Sequence, residues 1–124
     1  MLGVRDLDPG EAAALAKSNI VRLGADVLPN ELEPRLDSLG QQLGQFYLHL
    51  DLDTLDPSEG RANGYAAKGG FSKEKLRELL RLIAGRIPVA AMTLSSYDPA
   101  YDPENKICAI AIDAATTVVD GLRR

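Results

Sequence analysis

Residues Gln45–Pro57 read QFYLHLDLDTLDP. Phe46, Leu48, Leu50 and Leu52 alternate with Tyr47, His49, Asp51 and Asp53. A period of two specifies an extended strand with the two sets on opposite faces. One face is wholly apolar. The other ends in a histidine and two carboxylates, with about 7 Å between successive members. Asp51 and Asp53 therefore point the same way, and their repulsion makes a bare pair unfavourable. A divalent cation relieves that repulsion and supplies the missing charge. Asp56-Pro57 then turns the chain out of the sheet.

Upstream, Leu2-Gly3-Val4 reads as a very short strand. Asp8-Pro9-Gly10-Glu11 reads as a helix start, with Asp8 as N-cap, Pro9 at the first helical position and Glu11 three residues after the cap. Ile20–Leu23 is a short strand candidate. Asn30 is expected to cap another helix, with Leu32, Leu36, Leu39 and Leu43 at helical spacing and Pro34 in its first turns. Downstream, Asp56–Gly70 is a Gly-containing loop directly after the central strand. Ser72 caps a helix whose buried stripe is Leu76, Leu79, Leu80 and Ile83. Val89–Leu94 is a second buried strand, and Tyr97–Pro103, YDPAYDP, is a polar loop after it. Cys108–Leu122 closes the chain as a helix with Ile112, Ala115 and Val119 on one face. Strands alternating with helices specify an α/β fold with a mostly parallel sheet. Both acidic loops then fall at the same edge of the sheet, where open α/β sheets bind their ligands.

The 124 residues make one domain, or part of one, and the hydrophobic content of 45% is enough for a core. A formal charge of −4 without a basic patch argues against nucleic acid. No apolar run approaches the roughly 20 residues of a membrane span. The start, MLGVRD, has no apolar leader region. The single cysteine, Cys108, forms no internal disulfide and fits a reducing cytoplasm.

The motif D-x-D-x-x-D-P at a strand end also has plainer readings. Asp51 and Asp53 can cap a loop and a helix start. His49 can be a metal ligand, a group that orients a carboxylate, or a satisfied core histidine. Asp56 is expected to bond the loop backbone. Tyr97, Asp98 and Asp102 are expected to do ordinary turn chemistry, and Cys108 to act as a small hydrophobe.

LHLDLDTLDP (Leu48–Pro57), followed by ANGYAAKGGFS (Ala62–Ser72), resembles a signature of the arginase/agmatinase/formimidoylglutamase ureohydrolases. GVRDLDPGE near the start and PVAAMTLSSYDPAYDP near the end also resemble that family. The resemblance covers most of this chain but only the C-terminal half of a full member. It implies a three-layer α/β/α fold, here a partial one. It also implies a pair of manganese ions bridged by a hydroxide that attacks a guanidino or formimidoyl carbon. Asp51 and Asp53 match manganese ligands, and the loop containing Asn63 and Gly64 matches the border of the substrate pocket.

The departures from the family pattern are equally specific. The G-G-D-H and D-x-H-x-D segments that supply the family's other ligands are not in this chain. His49 stands where the signature often has serine, and Asn63 where many members have proline. Ser96 aligns with the family's substrate-contacting glutamate, so a guanidinium substrate would lose its carboxylate partner. A strand from the unmatched half lies beside the central strand in family members, and without it the sheet has an open edge.

The reading that follows is a metal-dependent hydrolase of a guanidino or amidino C–N bond by descent, inactive as this isolated chain, with an incomplete Mn²⁺ site. It is expected to form a homo-oligomer or to pair with an N-terminal half. The alternatives are a magnesium phosphatase of the haloacid dehalogenase type, with Asp51 as nucleophile, and a non-catalytic interaction or scaffold module.

Overall fold

The computed structural model describes residues 1–123. The central alternation forms strand β1, Phe46–Asp51, and the second buried run forms β2, Val89–Ser95. The two pair in parallel, with Leu48 beside Met92, Leu50 beside Leu94 and Asp51 beside Ser95. Among the described residues the sheet holds these two strands. Helix α3, Lys73–Arg86, is the crossover between them, and α4, Lys106–Gly121, follows β2. The predicted α/β class with a parallel sheet is therefore what forms.

In-register neighbours of a parallel pair share a face, so Leu48, Leu50, Met92 and Leu94 line one side of the sheet. Leu50 is buried in a core with Leu76, Leu79, Leu80 and Ile83 of α3, the predicted stripe. The core continues through Ile107, Ala111, Ala114 and Val118 of α4. Tyr47, His49 and Thr93 fall on the opposite side, where Tyr47 is 63% exposed and its hydroxyl donates to Thr93 Oγ1.

Capping chemistry sets several boundaries as predicted. Helix α1, Pro9–Ala16, starts with Asp8 accepting from the Glu11 N–H at 2.8 Å and Glu11 accepting from the Asp8 N–H at 3.1 Å. In α3, Ser72 accepts from the Lys75 N–H at 3.1 Å. That helix runs one residue past Gly85, to Arg86.

Five predicted features are corrected. Leu2–Val4 and Ile20–Leu23 do meet in parallel, but only as a single bridge between Leu2 and Leu23. Helix α2, Pro29–Gln42, starts earlier than expected, with Leu28 at the cap and Asn30 inside the first turn. Pro29 pre-sets the first helical φ, and Glu31 reaches back to the Leu28 N–H at 2.8 Å. Only the first half of the α2 stripe, Leu32 and Leu36, is buried, whereas Leu39 and Leu43 are exposed. β1 stops at Asp51, because the Asp51 side chain accepts from the Asp53 N–H and winds Leu52–Thr54 into a 3-10 turn. In α4 the buried face is Ile107, Ala111, Ala114 and Val118, whereas Ile112 and Val119 are 63% and 47% exposed.

The α4 face is decided by its neighbour. α4 carries apolar residues on two faces, so its sequence offers two candidate stripes, and the one with small residues lets α3 approach closely. A Cβ on Gly121 would stand 2.5 Å from that of Ala84 in α3. A bidentate Arg77–Asp113 ion pair joins the same two helices at their rim.

These positions make the strand assignment testable. Leu50→Asp places an unpaired carboxylate in the core and should cost at least ~4 kcal/mol. Glu59→Ala, in the loop after β1, should stay within about 0.5 kcal/mol of the parent protein. Urea unfolding compares the two, and equal midpoints would mean that the core strand has been misplaced.

Candidate functional site

The site gathers where both strands end. Parallel pairing sends β1 and β2 out of the sheet at the same edge, so the turn after Asp51 meets the loop after Ser95. Asp51 is the last residue of β1 and Asp53 the second of the 3-10 turn. They are brought together as the alternation predicts, but by a cap and not by one continuous strand face. The plainer reading, in which Asp51 caps a turn, holds as well: its Oδ1 accepts from the Asp53 N–H at 3.3 Å.

The two carboxylates are electrostatically unequal. Burial raises the Asp53 pKa, and the hydrogen bond and negative charge of Asp51 raise it further, against weaker opposing effects of Asn63 and Arg5. Burial also works to raise Asp51, but hydrogen bonds from the Ser96 and Asp53 side chains outweigh it, with help from the Asp53 N–H and His49, and Asp51 ends below the usual carboxylate range. Of the two, Asp53 is therefore the more readily protonated and Asp51 the more acidic. A divalent cation would relieve their repulsion by offering positive charge to both oxygens at once.

Asn63 joins the pair to the rim. Its Nδ2 donates to the Ser96 carbonyl at 2.8 Å and to Asp53 Oδ2 at 3.4 Å, and its Oδ1 accepts from the Tyr65 N–H at 2.7 Å. The Asp98 N–H donates to the Ala62 carbonyl at 2.8 Å, so the loops after β1 and β2 are tied together at one edge, as predicted. Ser96 makes its turn in the left-handed region, at φ 63°. Gly64 lies against Tyr101, where a Cβ would come 2.9 Å from the phenolic oxygen.

His49 is exposed, which removes the core-histidine reading. Its Nε2 lies 3.0 Å from Ser95 Oγ, and its ring leans on that of Tyr47, with centroids 6.5 Å apart.

The YDPAYDP segment does the turn chemistry expected of it, and Asp102 does more. It is 5% exposed, and its Oδ2 accepts from Tyr97 Oη at 3.1 Å and from the Cys108 N–H at 3.0 Å. Asp102 thus caps α4 from outside, where Asn105 makes no side-chain cap bond. The spacing of Asp102 ahead of the apolar run was the available signal. Asp56 bonds the loop backbone as predicted, accepting from the N–H groups of Ser58, Gly69 and Gly70 at 3.0, 2.8 and 3.3 Å. Sequence reasoning also passed over Arg5, which reaches the carbonyl of Asp53 at 2.8 Å.

Carboxylate oxygens suit a hard divalent ion such as manganese, so Asp51 and Asp53 fit as two of its donors. They do not make a whole site. Among the described residues no group of three or more His, Cys, Asp or Glu side chains is placed to hold a metal ion.

Comparison with known proteins agrees over nearly the whole chain. A family model described as "Arginase family" matches residues 1–120. The arginase of Brucella melitensis is 23% identical over 124 residues, which is 96% of this chain and 40% of that protein. The crystal structure of Helicobacter pylori arginase superposes with a TM-score of 0.86 at 19% identity, over 99% of this chain and 43% of the other. Formimidoylglutamase from Bacillus subtilis superposes with a TM-score of 0.84 at 19% identity, over 95% of this chain and 39% of the other. This chain therefore spans between 27% and 41% of the length of the curated relatives it matches. Among the described residues no helix is long and apolar enough to cross a membrane.

Asp56 supplies a pH test of the loop. The side-chain and backbone hydrogen bonds of Ser58, then that of the Gly69 N–H, lower its pKa from the ordinary 3.8 to about 2. A carboxylate depressed in the folded state stabilises it above the unfolded pKa, and that contribution is lost as pH falls through the folded value. The ¹³C carboxyl signal of Asp56 should titrate at about 2, with the amides of Gly69 and Gly70 shifting alongside it. A midpoint at 3.8 would mean that the loop is not closed by this side chain.

Proposed function

The chain belongs to the arginase family, and from that premise we propose that it forms the carboxylate-bearing part of a manganese-dependent ureohydrolase centre. Asp51 and Asp53 serve as two metal ligands. Asn63, Gly64 and Ser96 border the pocket for a guanidino or amidino compound, and His49 orients the strand-end groups through Ser95. The observation that carries the reading is the pairing of Asp51 with Asp53 at the shared strand edge, joined to Asn63 and Ser96, in a chain matched to that family over residues 1–120. The family match favours this reading over the haloacid dehalogenase alternative.

The bound ion would supply a Lewis acid and a water of lowered pKa. Asp51 and Asp53 provide two oxygen donors, whereas manganese-type ions take about six. The remaining protein donors come from outside these residues, either from a partner copy or from a chain or segment equivalent to the rest of a ureohydrolase. Ser96 offers no charge to a guanidinium, which weakens capture of arginine or agmatine at that position. The isolated chain is accordingly a poor catalyst and a natural partner for assembly. Its apolar α4 rim, Ile112 and Val119, stands open.

Three measurements test this. Calorimetric titration of Mn²⁺ should detect weak binding to the chain and none to the Asp51→Asn/Asp53→Asn variant; equal affinity in both would remove the metal assignment. Urea or ammonia release from arginine, agmatine and formimidoylglutamate, at saturating Mn²⁺, should be negligible for the isolated chain, and light scattering should report a dimer or larger species. Robust turnover by a monomer would contradict the proposal.

A further inference from the structure

Among the hydrogen bonds of the Arg5 side chain, one goes to a group near it in sequence, the Gly3 carbonyl, at 3.3 Å. Its Nη2 donates to the carbonyls of Asp53 at 2.8 Å and Leu55 at 3.2 Å, and to that of Ala67. Its Nη1 donates to the Thr54 carbonyl at 3.5 Å, and its Nε to those of Ala67 and Lys68 at 3.1 Å each. A guanidinium carries five N–H donors in a rigid planar fork and no acceptor. Here the whole fork is turned onto backbone oxygens, and no carboxylate forms a salt bridge with it among the described residues.

Those oxygens belong to the two ends of one loop. Asp53, Thr54 and Leu55 lead into it from the 3-10 turn, and Ala67 and Lys68 return from it. Just beyond the clasp, the Phe71 N–H donates to the Thr54 carbonyl and the Asp56 N–H to the Phe71 carbonyl, both at 2.9 Å. Gly70 is required at that crossing, because a Cβ there would come 2.5 Å from the Thr54 oxygen. Carbonyls that converge this way, half-buried and outside regular structure, repel one another unless a donor serves them.

We infer that Arg5 is the positioning residue of the acidic pair: one guanidinium gathers the carbonyls on both ends of the 53–68 loop and so fixes where Asp53 and Asn63 present their side chains. Asp53 is then held at three points. Arg5 takes its carbonyl, Asp51 takes its N–H and Asn63 takes its carboxylate. The Arg5 donors are taken up by backbone carbonyls, so it acts through these neighbours. A lysine cannot replace it, because one ammonium is a point donor that cannot span the five carbonyls from both strands of the loop. The link to metal binding rests on the function proposed above, whereas the link to loop geometry does not.

The test uses the full chain as Arg5→Ala and Arg5→Lys, with amide hydrogen exchange read residue by residue in the absence of metal. The amides of Asp56, Gly69 and Phe71 should exchange at least ~10-fold faster in both variants, while the α3 and α4 core amides keep their rates. Methylguanidinium at millimolar concentration should restore slow exchange in Arg5→Ala, and sodium chloride at the same concentration should not. Mn²⁺ affinity should fall in both variants and recover with methylguanidinium. Unchanged loop exchange, or acceleration matched by the core amides, would overturn the inference, the second result by reducing Arg5 to general stability. If the parent chain itself binds no Mn²⁺, the metal reading falls, and the exchange pattern with its rescue still decides the role of Arg5.

Discussion

The parallel pairing of β1 with β2 is the constraint on which the other features depend. An antiparallel pair would need only a short turn and would send its two ends to opposite edges. A parallel pair demands a crossover, and α3 supplies it. The leucine stripe of α3 then covers the Leu50 face of the sheet. The same geometry delivers the ends of both strands to one edge, which is why Asp53, Asn63 and Ser96 can meet although 43 positions separate the first from the last. α4 completes the layer by packing its small-residue face on α3.

Strand ends carry a cost that the chain meets with specific side chains. Backbone groups leave the ladder there and need new partners. Asp51 takes the N–H of Asp53, Asp56 takes those of Gly69 and Gly70, and Asp102 takes that of Cys108. Arg5 serves the carbonyls that these acids cannot. The acids near the site thus divide by role. Asp56 and Asp102 are spent on N–H groups and have lowered pKa values as a result. Asp53 instead has its pKa raised, by burial and by the neighbouring Asp51.

Much of this was legible in the sequence, for identifiable reasons. Period-two alternation named β1, helical spacing named the core stripe of α3, and Asp8 with Glu11 named the start of α1, because each signal is local. What escaped depends on distant partners. The buried face of α4 is set by its fit to Ala84 in α3, so a helix with apolar residues on two faces gave no sign of which stripe would win. The end of β1 at Asp51 depends on a side chain competing with the ladder for one N–H. Arg5 lies 48 residues from Asp53 and 62 from Ala67, whose carbonyls it holds, and no pattern in a single sequence marks such contacts. Within the site, the acidic pair was readable from its spacing. The inequality of its two members was not, because burial and the bonds from Ser96 and Asn63 create it.

On the function proposed above, this chain carries part of a ureohydrolase metal centre and not a whole one. Electron paramagnetic resonance of the Mn²⁺-loaded chain tests it most directly, because isolated and exchange-coupled manganese ions give different spectra. On this reading the chain should dim the six-line signal of free Mn²⁺ by binding a single ion, whereas Asp51→Asn/Asp53→Asn should leave that signal at full strength. An exchange-coupled dimanganese spectrum from the monomeric chain alone would contradict it.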